Sequence, residues 1–438
     1  MSGLAQVLLD ASFNVSGSDM KQSELTDELV SLGAKVYIGQ KEENVTEDVD
    51  LFVYTAAIHA DHPEYTKAEN LGISMLTRAE LLGQIMKNYP MPIAVSGTHG
   101  KTTVTSMLSD LLMADDADPT LSIGGILESI GGNFRIGHSD IFVTEACEYT
   151  NSFLSFYPKA SLILNVEEDH LDFFKDIHDI RSSFNRFAKL NPSDGIVVVN
   201  GDMEGLDVVT KDVSAKIVTF GHDSNSLYYP SDIHTDSEGN SVFTLNSPSH
   251  TPEEFTLSVP GIHNIMNAVA AVAMTDYLNV DRAVAKKALR SFSGSKRRFE
   301  FKGNYNGFTI IDDYAHHPSE IRATLTAAKQ KPHSKLWVCF QPHTYTRTKA
   351  FLDEFADALS LADAVILADI YAAREKDTLG ISSDDIAKRI KAMNCECYYI
   401  PTFAEIKNFV KKNCAPGDMF ITMGAGDVVN IGEELLRE

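Results

Sequence analysis

Apolar positions along the chain alternate between short β-type runs and helical spacings, and this alternation predicts an α/β fold. Leu4, Val7 and Leu8 are spaced as one helix face. Phe13-Asn14-Val15-Ser16-Gly17-Ser18-Asp19 reads as a strand closing in a polar turn. Leu25, Leu29 and Leu32 predict a second helix, stopped by Gly33. Val36-Tyr37-Ile38-Gly39 and Asp50-Leu51-Phe52-Val53-Tyr54 predict further strands, the pattern of a doubly wound sheet. Asp19 stands at a strand end, where such sheets place a ribose-binding carboxylate; a solvated turn aspartate fits the same position.

The next run, Ile93-Ala94-Val95-Ser96, leads into Gly97-Thr98-His99-Gly100-Lys101-Thr102-Thr103. Val104, Met107, Leu108, Leu111 and Leu112 then mark a helix face. Strand, glycine turn, Lys-Thr and helix form a phosphate cradle, with backbone N–H groups and the positive helix end facing the anion. Lys101 neutralises β/γ-phosphate charge in this reading, and the Thr102 hydroxyl ligates Mg²⁺. The pattern is a shortened one, because Val95 stands where the eight-residue version has its first glycine. Lys101 is expected to face solvent, so that its removal spares the fold.

Ile141-Phe142-Val143-Thr144 predicts a buried strand that delivers Glu145, with Glu148 three residues on. Ser161-Leu162-Ile163-Leu164-Asn165-Val166 predicts another, followed by Glu167, Glu168, Asp169 and His170. Ligands of open α/β sheets sit beyond the carboxyl ends of strands. Glu145 and His170 are therefore metal-ligand candidates, against the alternative of solvated loop residues; the carboxylate suits Mg²⁺ better than the imidazole. Several short β runs fill residues 196–260. Asn264 and Asn267 then lie one turn apart at a helix start, able to face one ligand or to act as caps.

Beyond the basic joint Ser293-Gly294-Ser295-Lys296-Arg297-Arg298, four β runs each end in a polar cluster. These are Asp312-Asp313-Tyr314-Ala315-His316-His317-Pro318, Gln341-Pro342-His343-Thr344-Tyr345-Thr346-Arg347-Thr348, Asp369-Ile370-Tyr371-Ala372-Ala373-Arg374-Glu375-Lys376 and Gly424-Ala425-Gly426-Asp427. The four clusters are expected on one sheet edge, as a site.

Composition narrows the partners. The 438 residues suit about three domains. A net charge of −23 argues against a nucleic-acid groove or an anionic membrane surface, though not against small anions in local cationic pockets. No apolar run approaches the ~20 residues of a membrane span, and no signal peptide is visible. Five scattered cysteines suit a reducing, cytoplasmic setting. Cys395 and Cys397 have no second pair or nearby histidine to make a metal site.

The whole set resembles the Mur ligase family. The resemblance rests on the glycine turn 97–103, Glu145-Ala146-Cys147-Glu148, His263-Asn264-x-x-Asn267, Arg297-Arg298-Phe299-Glu300 and the clusters at 312–318, 341–348 and 423–427. His316-His317-Pro318 and Gln341-Pro342-His343 point to its alanine-adding branch. The resemblance implies three domains: a Rossmann-like UDP-sugar domain over 1–90, a P-loop ATPase domain over 91–295 and a Rossmann-like amino-acid domain over 296–438. It implies ATP, Mg²⁺, UDP-N-acetylmuramate and L-alanine as cofactors and substrates. It places Thr102, Glu145 and His170 on metal, and Gly97, Thr98, His99, Gly100, Lys101, Thr102 and Thr103 on ATP phosphates. Asn264, Asn267 and Arg298 serve the adenine end, with Asp313 and His316 near the phosphates. His343 and Arg347 face the acceptor's carboxylate. Lys101, His170, His316, His343 and Arg347 make up the catalytic set, and Asp19, His343 and Arg347 the substrate-binding set.

Two departures stand out. Asn185 occupies the place where several relatives carry a modified lysine, and Thr344 the place where some alanine-adding enzymes have arginine. Rival readings are a tripeptide-adding recycling ligase, a folylpolyglutamate synthase-like ligase and a non-catalytic nucleotide-binding protein. The chain opens at a helix, where family members first have a strand and Gly-x-Gly-x-x-Gly. The expectation is that Met1 is internal to a longer protein and that this form keeps its ATP site but binds the sugar nucleotide poorly.

Overall fold

The computed structural model describes residues 1–438 apart from 56, 57, 172 and 374. Arg374, part of the third polar cluster, therefore lies outside the described residues.

The first ninety residues alternate strands and helices as their pattern predicts. Strand β1 (Ser16–Asp19) pairs in parallel with β2 (Lys35–Ile38), and β3 (Leu51–Tyr54) with β4 (Ser74–Thr77). Among the described residues no ladder joins these two pairs. Side chains tie the segment together instead. The buried carboxylate of Glu64 accepts from Ser18 Oγ and from Asn44 Nδ2, each at 2.7 Å.

A seven-stranded sheet follows: β5 (Met91–Ser96), β6 (Thr120–Leu127), β7 (Gly132–Arg135), β8 (Ile141–Ala146), β9 (Ala160–Ile163), β10 (Ile196–Asn200) and β11 (Lys216–Phe220). Its order is β11-β10-β9-β5-β8-β6-β7, parallel except for β7. The near-continuous apolar runs of β5 and β10 are those of strands covered on both faces. Ile93, Ala94 and Val95 are fully buried, as are Val104, Met107, Leu108, Leu111 and Leu112 on the helix Lys101–Ala114. β5 thus stands mid-sheet, with β9 and β8 delivering their ends beside its own.

Strands β12 (Tyr229–Thr235), β13 (Ser241–Ser247) and β14 (His250–Leu257) form an antiparallel meander. The last sheet holds β15 (Glu300–Tyr305), β16 (Phe308–Asp313), β17 (Leu336–Phe340), β18 (Ala364–Leu367), β19 (Glu396–Tyr399) and β20 (Met419–Met423). Its order is β15-β16-β20-β17-β18-β19, and only β15 runs antiparallel. The strands that precede the four polar clusters are therefore consecutive neighbours pointing one way, and the clusters share one edge.

Contacts divide the chain into two compact units. One comprises Met1–Gly221, Asn225–Leu227 and Ala270–Asp281; the other comprises His222–Ser224, Tyr228–Val269 and Arg282–Glu438. Among the described residues no helix is long and apolar enough to cross a membrane.

Candidate active site

In the first unit the site is built at the carboxyl end of β5. The chain leaves the strand at Gly97 with φ 146°, and a Cβ there would lie 3.0 Å from that of Leu164. Only glycine accepts both the backbone angle and the close approach. The loop is then held from its β9 side. Asn165 accepts the His99 N–H at 2.7 Å and donates to the His99 carbonyl at 3.1 Å. Thr98 Oγ1 accepts the Glu167 N–H at 2.9 Å, and His99 Nε2 lies 3.4 Å from Glu167. Gly100 enters the helix with φ 82°, and Thr103 sits half-buried in its first turn.

Lys101 is not solvent-facing as expected; its side chain is only 17% exposed. The ammonium curls back over the loop, donating to the carbonyls of Gly97 at 2.5 Å and Thr98 at 3.1 Å. It also pairs with the Glu148 carboxylate at 3.0 Å, a group that is itself buried. Burial pulls the Lys101 pKa down, but Glu148 and the neighbouring Glu145 more than reverse that, so the ammonium stays charged. The expectation failed because Glu148 is 47 residues away in sequence and only the β5–β8 pairing brings it near.

Glu145 points from β8 to the same helix start. Its Oε2 accepts from Thr102 Oγ1 at 3.2 Å, and its Oε1 from the Gly124 N–H at 2.5 Å. A hydroxyl and a carboxylate side by side are hard oxygen donors, which suits Mg²⁺. His170 lies with Nε2 3.8 Å from both Glu148 and Asp169, its ring against Tyr149 at 4.6 Å. Asn185 plays another part. Its amide donates to the Val209 and Lys211 carbonyls at 2.9 and 2.8 Å, a structural tie. Asp19, at the end of β1, is exposed and accepts the Lys21 N–H at 3.2 Å.

In the second unit the clusters do converge. His316 and His343 have ring centroids 5.7 Å apart, and Arg347 Nη1 lies 3.0 Å from His343 Nδ1. Arg347 projects from the short helix Tyr345–Ala350, whose first residue follows Thr344 at φ 65° and ψ 148°. His316 Nδ1 is 3.1 Å from the Tyr314 carbonyl and 3.3 Å from Glu320. Arg298 lies over the Tyr314 ring at 5.1 Å.

Asp313 is buried and accepts the N–H groups of Phe299 and Ala315, both at 2.8 Å. Burial pushes its pKa up to about 6, against the pull of Arg298. Asn264 donates to the Pro260 carbonyl at 2.7 Å and accepts from Asn267 at 3.3 Å, so the two amides form one unit at their helix start. His263 beside them is kept neutral by burial, its pKa lowered to about 4.

Three contributors were not assigned a role from sequence. Glu148 carried a signal, an acid one helical spacing after Glu145. Arg297 bonds Asp312 Oδ2 at 2.9 Å and the Gly424 and Gly426 carbonyls at 2.7 and 3.0 Å, pinning the loop after β20. Tyr371 stacks on His343 at 5.7 Å, and its signal was its place in the third polar cluster.

A mid-sheet P-loop with an acid beside its Lys-Thr, in a chain that ends in a second parallel sheet, defines a nucleotide-binding α/β protein. Family models match nearly end to end: the Mur ligase family catalytic domain over residues 1–90, the Mur ligase middle domain over 95–275 and the Mur ligase glutamate ligase domain over 297–426. The chain belongs to the Mur ligase family. It is 55% identical to the UDP-N-acetylmuramate–L-alanine ligase of Lachnospira eligens and 54% identical to that of Agathobacter rectalis, spanning all of this chain and 95% of each relative. The crystal structure of UDP-N-acetylmuramate-alanine ligase from Thermotoga maritima superposes with a TM-score of 0.83 at 28% identity, covering 100% of this chain and 96% of that one.

Proposed function

We propose that the protein is an ATP-dependent ligase that joins L-alanine to the lactyl carboxylate of UDP-N-acetylmuramate in peptidoglycan precursor synthesis, in the cytoplasm. The observation that carries this reading is the assembled Lys101–Thr102–Glu145 cradle in a chain 55% identical, over its whole length, to a ligase of that activity.

The chemistry asks for such a cradle. A carboxylate is a poor electrophile until it takes the γ-phosphoryl group of ATP, releasing ADP, to become an acyl phosphate; the alanine amine then attacks its carbonyl, forming the amide and releasing phosphate and a proton. Two anions must meet, so positive charge must screen their repulsion and the charge that moves. Lys101 supplies it from the loop, and the glycine turn 97–103 takes the phosphates through the N–H groups at its helix start, those of Thr98 and His99 being engaged by Asn165. Thr102 and Glu145 would hold one Mg²⁺ and His170 would help with a second, each supplying further charge neutralisation. Asn264, Asn267 and Arg298 are assigned to the adenine end, and Asp313 and His316 to the phosphate end. Arg347 and His343 take the alanine carboxylate, Arg347 by a two-pronged fork. Asp19 serves the sugar nucleotide. We assign residues 1–90 to the UDP sugar, 91–295 to ATP and 296–438 to the amino acid.

Phosphate release with UDP-N-acetylmuramate and ATP, measured against a panel of amines, tests the reading. L-alanine should stimulate it most. Stimulation by a tripeptide or by glutamate instead would overturn the assignment, and turnover indifferent to every amine would remove the ligase reading altogether.

A further inference from the structure

The loop after β18 makes an arrangement that the reaction outlined above does not use. Tyr371 donates its N–H to the Pro342 carbonyl at 2.8 Å and accepts the Thr344 N–H at 2.9 Å, while its ring stacks on His343. Four residues on, one oxygen of Glu375 accepts the N–H groups of Tyr345 and Thr346, at 2.7 and 3.0 Å. Its other oxygen accepts the Thr346 hydroxyl. These N–H groups open the helix Tyr345–Ala350, and the next, from Arg347, goes to Thr344 Oγ1 at a long 3.4 Å. The helix entry is unfavourable in itself, because Thr344 sits at φ 65°, a region that a β-branched residue rarely adopts. Tyr371 and Glu375 thus grip the turn that carries His343 and Arg347 from both ends.

We propose that Glu375 is a positioning residue of the acceptor site. Its carboxylate locks the first turn of the helix Tyr345–Ala350 and thereby aims Arg347, and His343 with it, at the carboxylate of the incoming amino acid. This rests on the ligase reading above. Charge-assisted bonds to two backbone N–H groups fix a short helix that has few internal bonds of its own. They also satisfy the helix's positive end from within the chain, which leaves the guanidinium of Arg347 as the group that reads the substrate anion.

The test uses the full chain carrying Glu375→Gln, Glu375→Asp or Thr346→Val. Steady-state phosphate release is measured with L-alanine and ATP varied in turn, and ADP affinity by calorimetry. Glu375→Gln should raise the KM for L-alanine about tenfold or more, with the KM for ATP and the ADP affinity within about twofold of wild type. Glu375→Asp should recover part of the loss, and Thr346→Val should move the same constant by less. An unchanged alanine KM overturns the proposal. So does a lowered one, since the carboxylate would then be competing with the substrate's. Equal changes in both KM values with lost thermal stability reduce Glu375 to a support of the fold and also overturn it. Wild-type turnover that ignores L-alanine overturns the ligase reading and this proposal together; alanine-dependent wild-type turnover with unmoved variants overturns this proposal alone.

Discussion

The carboxyl edges of the two large parallel sheets solve the same problem differently. At the end of β5 the binding surface is mostly backbone: a glycine turn, a helix start, and one lysine whose charge is held by a buried carboxylate. At the ends of β16, β17 and β20 the proposed surface is mostly side chain: His316, His343 and Arg347, with Tyr371 and Glu375 holding the turn that carries the last two and Arg297 pinning the loop after β20. On the proposed assignment the first edge takes phosphate, which is the same in every nucleotide, so rigid N–H groups suit it. On the same assignment the second edge must tell one amino acid from others, a discrimination that side chains on loops can carry. Both edges contain an ion pair with a buried carboxylate, Lys101 with Glu148 in the first and Arg297 with Asp312 in the second, but only in the first does the cation itself belong to the proposed binding surface.

The largest expected effect breaks the first edge. Lys101→Ala should abolish ligation, since losing one such electrostatic group costs about 3–4 kcal/mol at the transition state. It should also lower thermal stability, because Glu148 is left buried with only His170, at 3.8 Å, for an ion-pair partner among the described residues; removing one member of such a pair costs up to roughly 3–5 kcal/mol. Adding Glu148→Gln should restore the melting temperature but not the activity. A single mutant with wild-type melting would show that the pair does not couple the site to the fold.

Arg347→Lys tests the second edge. Lysine cannot reproduce the guanidinium fork, so the KM for L-alanine should rise about tenfold while that for ATP stays near wild type. Initial-rate kinetics with each substrate varied checks this. Equal shifts in both would take Arg347 out of the amino-acid site.

Asp313 offers a smaller, pH-dependent effect. Burial raises its pKa to about 6, above the ordinary 3.8. The folded state therefore binds the proton more tightly than the unfolded chain. The stability this group contributes is present below about pH 4, falls as pH rises, and is gone above about pH 6. Asp313→Asn should stabilise the protein at pH 8 by at most about 3 kcal/mol, with the difference vanishing near pH 4. Urea melts at the two pH values measure it; a gain that is the same at both would contradict the raised pKa.

The smallest effect separates structure from chemistry. Asn185→Ala removes two hydrogen bonds to carbonyls and should cost about 1–2 kcal/mol in urea melts, leaving the kinetics with ATP and L-alanine near wild type. A specific loss of turnover would return Asn185 to the site.

What the sequence by itself determined is what contiguous residues encode. The strand–glycine turn–helix of residues 91–114 was legible because its φ > 0 glycines, its Lys-Thr pair and its apolar helix face lie within one short window. The alternating elements, the strand-end position of Glu145 and the four polar clusters were legible for the same reason. Tertiary structure alone decided the rest. Local periodicity says nothing about sheet order, so the insertion of β20 between β16 and β17 could not be read. Nor could the partners that this order creates: Lys101 with Glu148, and the grip of Glu375 on Tyr345 and Thr346. The burial of Lys101 and the raised pKa of Asp313 follow from such neighbours. A side chain's charge and reach are written in its residue type, but its dielectric and its counter-ion come from groups many residues distant in the chain, and only the packed fold sets those.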